Sequence, residues 1–391
     1  MSGVPLKLAV VAGEVSGDLL GGDLAAALKR RYDGPVELVG VGGEALEAQG
    51  LHSLFDYSEL SIMGFIQVIK RLPKLLARIR QTADAIIAAK PDVLLIIDSP
   101  DFTHRVAKRV RKALPNLPVV NYVCPSVWAW KEYRATKMLG YVDHVLALLP
   151  FEPGVMERLG GPATRFVGHR LTADEDLLRV RQARAARAVP SPGDGRTVLL
   201  LPGSRGGEIR SLLPVFKQTI ELLTERNNDL HFLLPTVPHQ EPLVRELTVE
   251  WAVQPEILVG AADKWRAFAV ADAALAASGT VVLELALAGV PVVSVYKLDW
   301  LMRLMTRRIK TWSAALPNLV ADYPVVPEYV DHTIRHGRLA RWIERLSTQT
   351  PERQAMSQGF ERVWNRLHTA RSPGEESARI VLRLLEEKGR A

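Results

Sequence analysis

Three stretches of this chain combine glycine, hydroxyl and charged side chains as a phosphate site would. The first, Leu201-Pro202-Gly203-Ser204-Arg205-Gly206-Gly207-Glu208-Ile209, joins an apolar run to a helical one. Its glycines let backbone N–H groups approach an anion, and Arg205 adds a two-pronged donor beside Ser204. No Lys-Ser/Thr pair follows, so it is not a Walker loop. In Ser278-Gly279-Thr280, hydroxyls and free N–H groups open a helix, and Glu284 lies one turn further on. A carboxylate there can accept two vicinal ribose hydroxyls, although helix capping with a surface Glu would give the same pattern. Two anion-holding loops in one half predict a nucleoside-diphosphate site in the C-terminal half.

The third stretch, Gly13-Glu14-Val15-Ser16-Gly17-Asp18, follows the first apolar run. Its spacing is not G-x-G-x-x-G, and capping by Ser16 or Asp18 explains it as well as a substrate loop does. For acid–base chemistry the candidate is Asp98, at the end of the buried run Leu94–Ile97. A partly dehydrated carboxylate there suits removal of a proton from an attacking hydroxyl. Asp101 is its rival, though it could equally cap the following helix.

These residues need elements to position them. Short Val/Ile/Leu runs alternate with amphipathic stretches, which predicts doubly wound parallel sheets. Strands are expected at Leu6–Gly13, Val36–Gly43, Asp92–Asp98, Val119–Pro125, His144–Pro150 and Ala163–His169. A second set is expected at Thr197–Ser204, Leu230–Thr236, Pro255–Gly260, Ala273–Ser278 and Pro291–Lys297. The stretch Pro190-Ser191-Pro192-Gly193-Asp194-Gly195 reads as a linker. The expected organisation is therefore α/β: two Rossmann-like domains, residues 1–187 and 196–338, facing a cleft. Residues 339–391 form a helical C-terminus that can pack back on the first domain.

At 391 residues the chain is long enough for two such cores. Its single cysteine, Cys124, excludes an internal disulfide and reads as a small buried hydrophobe. The N-terminus lacks a basic segment and a long apolar run, so a cytoplasmic protein is expected. A net charge of +7 implies an anionic partner. Nucleic acid is disfavoured because the basic stretches lack interleaved aromatics. Asp174-Glu175-Asp176 matches a metal-binding D-x-D pattern but falls in a charged segment and reads as a solvated face; no metal and no cofactor are expected.

A membrane-facing segment is also expected. Ile62, Phe65, Ile66, Ile69, Leu72, Leu76 and Ile79 recur at helical spacing, with Met63 beside them. Lys70, Arg71, Lys74, Arg78 and Arg80 flank the stripe, and Pro73 should kink or divide it. A second basic-apolar stretch runs from Trp300 to Lys310. A core helix with a basic outer face would look the same.

The motifs AGEVSGDLLGG (12–22), GVGG (40–43), IMGF (62–65), IDSPDF (97–102), CPSVWAWK (124–131), LPFEP (149–153), FVGH (166–169), LPGSRGGEI (201–209), SGTVVLE (278–284) and LPNLVA (316–321) together resemble the lipid-A-disaccharide synthase family. The resemblance implies a GT-B-type fold and an inverting transfer of 2,3-diacylglucosamine from its UDP conjugate to 2,3-diacylglucosamine 1-phosphate. It implies Asp98 as base, and Ser204, Arg205, Ser278, Gly279, Thr280, Glu284 and Asn318 around UDP. It implies Glu14, Ser16, Gly17 and Asp18 as a substrate loop. Contact with the cytoplasmic face of an anionic inner membrane would involve Ile62, Met63, Phe65, Ile66, Lys70 and Arg71; a homodimer is compatible. The chain departs from the family at Cys124, where Ser or a similar residue is usual, and at Arg170, where Pro is frequent. Another GT-B-type UDP-sugar enzyme, either a transferase with a soluble acceptor or a UDP-sugar epimerase, remains the alternative.

Overall fold

The computed structural model describes residues 3–60, 65–191, 193–226, 229–298 and 309–389, with side chains in the helix Phe65–Ala89 from residue 73 onward. Two compact units emerge. The first comprises residues 1–170 and 369–391, the second residues 171–368.

The first unit carries six strands: β1 (Leu6–Ala12), β2 (Val36–Val41), β3 (Val93–Ile97), β4 (Val119–Tyr122), β5 (His144–Ala147) and β6 (Ala163–Phe166). They form one parallel sheet in the order β2-β1-β3-β4-β5-β6. The unbroken apolar runs of β1 and β3 follow from burial on both faces. Ala9, Val11, Leu94 and Ile96 enter one core layer with the helices Phe65–Ala89 and Pro100–Ala113. Leu8, Val10, Leu95 and Ile97 enter the other, with the helices Val15–Arg31 and Pro373–Glu387.

The second unit repeats the plan with β7 (Arg196–Leu201), β8 (Leu230–Thr236), β9 (Glu256–Val259), β10 (Ala273–Ala277), β11 (Val292–Tyr296) and β12 (Glu328–Val330), in the order β12-β11-β10-β7-β8-β9. All its pairings are parallel too. Only β12 has no counterpart among the expected strands. It is a three-residue edge strand, half-buried throughout, with no apolar run to mark it.

The unit boundary falls at Arg170–Leu171, earlier than the Pro/Gly stretch at 190–195 suggests. The reason is the Arg-rich helix Glu175–Ala185. Arg184 donates to the carbonyls of Phe268 (2.9 Å) and Gly289 (3.0 Å), at the ends of the helices Ala261–Val270 and Thr280–Ala288. Two helix C-termini are thus capped by one buried guanidinium, which ties this helix to the second unit. The three C-terminal helices divide as well. His336–Leu346 and Pro351–Leu367 belong to the second unit. Pro373–Glu387 lies against Val15–Arg31 in the first, burying Ala378, Val381 and Leu385.

Sheet order fixes where ligands can sit. In the first sheet the chain passes from β1 to β2 on one side and then to β3 on the other. The loops after β1 and β3 therefore diverge at a switch point, and β7 and β10 repeat this in the second sheet. The four chemistry-bearing loops of the sequence are the loops at these two switch points.

Candidate active site

In the second unit the loops after β7 and β10 enclose a cavity of about 590 Å³. Ser204, Arg205, Ser278, Gly279, Thr280 and Glu284 all line it. Three helices, Gly206–Arg226, Ala261–Val270 and Thr280–Ala288, begin at its wall, so their N-terminal ends face it. Each contributes about half a positive charge, so the cavity favours an anion before any side chain is counted. Gly203 sits at φ +104°, and a Cβ there would meet Glu208 Oε2 at 2.4 Å. Only glycine lets this loop turn so tightly.

Two cations add to the helix ends, each already beside a carboxylate. Arg205 donates to Glu208 at 3.1 Å, with its side chain 66% exposed. Such a pair is worth at most about 1 kcal/mol, so a phosphate can displace Glu208. Lys264 donates to Glu284 at 2.9 Å in a more enclosed setting. Lys264, Thr236, Val237, Pro238 and Gly260 also line the cavity, yet no motif in the sequence marks them. The signal available is positional: they lie at or after the ends of β8, which pairs with β7, and β9, which pairs with β8.

Asn318 does not join this cavity. It is 2% exposed, and its Oδ1 accepts from the backbone N–H groups of Val325 (2.8 Å) and Val326 (2.7 Å). Its Nδ2 donates to Ser313 Oγ, Val326 O and Glu328 Oε2 at 3.0–3.2 Å. Every polar position of the amide is used, so its expected contact with UDP is corrected to a buried strut.

In the first unit, Asp98 ends β3 and lines a cavity of about 240 Å³ with Pro100, His104, Asn121, Trp130 and Arg134. Asp98 (φ +49°) and Ser99 (φ +42°) are successive non-glycine residues in the left-handed region. Strain of this kind costs on the order of 1–3 kcal/mol per residue and concentrates at functional sites. Asp98 N–H donates to Tyr122 O, and its Oδ1 accepts from Ser99 N–H at 2.8 Å. Asp101 is exposed in the first turn of the next helix and does not line the cavity. The geometry therefore separates two carboxylates that the residues alone left equal.

His104 sits deep in this pocket, its Nδ1 3.0 Å from the Tyr141 hydroxyl. Burial lowers its pKa to about 4, so the imidazole is neutral at physiological pH. Behind the pocket, Glu152 is fully buried and pushed up to about 8 by desolvation, although Trp128 Nε1 and Leu149 N–H donate to it. Cys124 is buried, and its thiol is pushed up by the same cause, which removes it as a nucleophile.

The loop after β1 divides. Glu14 reaches Ser99 Oγ at 3.5 Å, beside Asp98. Asp18 is 3% exposed, and its carboxylate accepts from the N–H groups of Gly43, Ala45 and Leu46. Its expected place on a substrate loop is therefore corrected: it holds the Gly42-Gly43 turn from beneath. Gly17 packs on β3, since a Cβ there would lie 3.3 Å from Ile97 Cγ2. Asp174 caps its own helix by accepting from Asp176 and Leu177 N–H, which accounts for the D-x-D pattern.

Of the expected membrane segment, Ile62 and Met63 lie outside the described residues. Phe65, Ile66, Lys70 and Arg71 fall on the helix Phe65–Ala89, ahead of the first described side chain. Pro73 lies within that one helix and does not divide it. Ile79 is buried in the core, and Lys74 (3.3 Å) and Arg78 (2.9 Å) both pair with Glu59. Of the stretch Trp300–Lys310, all but Ile309 and Lys310 lies outside the described residues. Among the described residues no helix is long and apolar enough to cross a membrane.

Comparison with known proteins bears on the family and the fold. Residues 8–371 match the family model described as lipid-A-disaccharide synthetase. The lipid-A-disaccharide synthase of Rhodopseudomonas palustris (strain HaA2) is 47% identical over 388 residues, covering 99% of this chain and 98% of its own. That of Nitrobacter winogradskyi is 47% identical, covering 97% and 96%. Among solved structures, the Staphylococcus aureus MnaA–UDP co-structure superposes with a TM-score of 0.60 at 14% identity, covering 99% of this chain and 98% of that one. Acinetobacter baumannii MurG gives 0.52 at 14%, covering 98% and 99%. These two show the fold, which is of the GT-B type. The chain belongs to the lipid-A-disaccharide synthase family, glycosyltransferases of lipid A biosynthesis.

Proposed function

We propose that the protein transfers 2,3-diacylglucosamine from its UDP conjugate to the 6-hydroxyl of 2,3-diacylglucosamine 1-phosphate, releasing UDP. The observation that carries this reading is the convergence of three helix N-termini, Arg205, Lys264 and Glu284 on one cavity. A diphosphate meets the helix ends and Arg205, and Glu284 accepts from the ribose hydroxyls. The apolar wall of Pro235, Val237 and Pro238 suits a nucleobase.

The reaction is a single displacement. Asp98 takes the proton of the acceptor 6-hydroxyl as that oxygen bonds the donor's anomeric carbon. The bond from that carbon to the diphosphate oxygen breaks, and its electron pair leaves with UDP. Attack opposite the leaving group turns an α donor into a β-1,6 product. The helix N-termini and Arg205 meet the charge that develops on the leaving diphosphate.

Both substrates carry acyl chains, so an apolar and basic surface is needed beside the acceptor site. The segment Ile62–Arg80 supplies it in this reading. With Lys74 and Arg78 engaged by Glu59, two of its five basic residues drop out. At about 1 kcal/mol per remaining basic residue, reversible attachment to an anionic bilayer results. Ile62→Ser with Phe65→Ser should lower co-sedimentation with anionic vesicles; unchanged binding moves the contact elsewhere.

The decisive assay is UDP release from UDP-diacylglucosamine and acylated glucosamine 1-phosphate. Turnover of soluble acceptors with none of acylated ones overturns the proposal.

A further inference from the structure

The cavity beside Asp98 contains more than a base. Arg134 lines it together with Trp130, Asn121 and His104. Among the described residues, the Arg134 guanidinium makes no hydrogen bond and no ion pair. Its side-chain contact is with the Trp130 ring, whose centroid lies 5.6 Å from Cζ. Lys131, at φ +53°, holds its Nζ 3.9 Å from the same centroid. Two cations thus share one indole at the pocket wall, and among the described residues neither is paired with a carboxylate.

Other arginines of the first unit with comparable burial are paired. Arg78 is bonded to Glu59, Arg111 to Asp143, and Arg170 lies 3.3 Å from Asp23. A half-buried, unpaired guanidinium at a cavity wall is poorly solvated and favours an anionic ligand. The other polar groups of the pocket leave that role open. His104 is neutral and engaged by Tyr141, and Asn121 Nδ2 donates to Val123 O at 2.9 Å. At about 240 Å³ the space is below the roughly 300–1,000 Å³ of pockets for larger ligands and suits one sugar ring.

We propose that this cavity holds a sugar phosphate monoester, with Arg134 binding the phosphate across the ring from the hydroxyl that faces Asp98, and Lys131 adding a second positive charge at the rim. The assignment rests on the transferase reading above and specifies its acceptor subsite. A pyranose 1-phosphate presents its 6-hydroxyl and its phosphate on separate sides of the ring. One carboxylate and one guanidinium line the same cavity, so a single ring seated there can meet both. Arg134 then acts as a specificity-determining residue, reading the phosphate and orienting the hydroxyl.

The test uses the full chain and two acceptors, 2,3-diacylglucosamine 1-phosphate and the analogue with a free 1-hydroxyl. The wild-type protein should prefer the phosphorylated acceptor about 10–100-fold in kcat/KM, the range of a charge-assisted contact. Arg134→Met should bring that ratio toward one, mainly through KM, and Arg134→Lys should recover part of it. Circular dichroism and cooperative urea unfolding of the full chain report that each variant is folded. An unchanged ratio in Arg134→Met overturns the proposal. If neither acceptor is turned over, the transferase reading falls, and calorimetry with glucosamine 1-phosphate decides the pocket alone. Binding that Arg134→Met abolishes upholds the assignment; no binding, or equal binding by both proteins, overturns it. Competition by inorganic phosphate as strong as by glucosamine 1-phosphate also overturns it, leaving a bare anion site.

Discussion

Lys264 Nζ and Glu284 Oε2 meet at 2.9 Å on the wall of the larger cavity, joining two helices whose N-termini face the same space. The pair fixes the Glu284 carboxylate and offsets its charge where a diphosphate is proposed to bind. Lys264→Met should therefore raise the Kd for UDP about 10–100-fold, because it removes a cation and leaves a carboxylate beside the phosphates. Glu284→Gln should raise it less. The double variant should be less than additive, as expected of groups in contact. Titration calorimetry with UDP measures this, and strict additivity would mean the two act independently.

Asp98→Asn should lower kcat by about 10²–10⁴-fold, the span for loss of a general base. Asp101→Asn should stay within a few-fold of wild type, because Asp101 is exposed and outside the cavity. Steady-state rates of UDP release compare them; the reverse ranking would exchange the two residues' roles.

Asn318→Ala should act on stability. It strands the N–H groups of Val325 and Val326, both buried, at about 1–3 kcal/mol each. Urea unfolding should show a loss of a few kcal/mol. UDP affinity of the folded protein should match wild type, and a Kd shift without a stability loss would return Asn318 to the nucleotide site.

Two buried groups give pH effects of opposite sign. Glu152 is held at about 8 against 4.5 in the unfolded chain. Between those values the folded protein keeps a proton that the unfolded chain releases, so stability falls as pH rises through this window. Relative to Glu152→Gln, the wild-type protein should lose up to a few kcal/mol between pH 5 and pH 8. Parallel curves for the two proteins would show that Glu152 does not titrate this way. His104, lowered to about 4 from 6.5, works in reverse. Its contribution is present above pH 6.5 and is lost as pH falls toward 4, so His104→Gln should flatten the acid limb of the unfolding curve.

The two parallel sheets were legible in the sequence because a strand buried on both faces must be apolar at every position. Eleven of the strands lie within the expected runs or begin one residue ahead of them, as β7 does at Arg196; β12, a half-buried edge, carries no such mark. Six of the seven residues expected around UDP line one cavity, since glycine and hydroxyl residues directly after a buried strand leave little freedom in where they face. The residues themselves reached an anion site in the second half and a carboxylate at the end of β3. Tertiary structure decided what depends on groups distant in sequence. Asp18 is claimed by the turn at Gly43, and Asn318 by backbone at residues 325–326. The helix Glu175–Ala185 is assigned to the second unit by carbonyls about 85–105 residues further along the chain. Arg134, silent as a motif, lines the Asp98 cavity with no ion pair among the described residues. A polar side chain's role is set by which partners the fold brings within hydrogen-bonding distance, and spacing along the chain does not encode that.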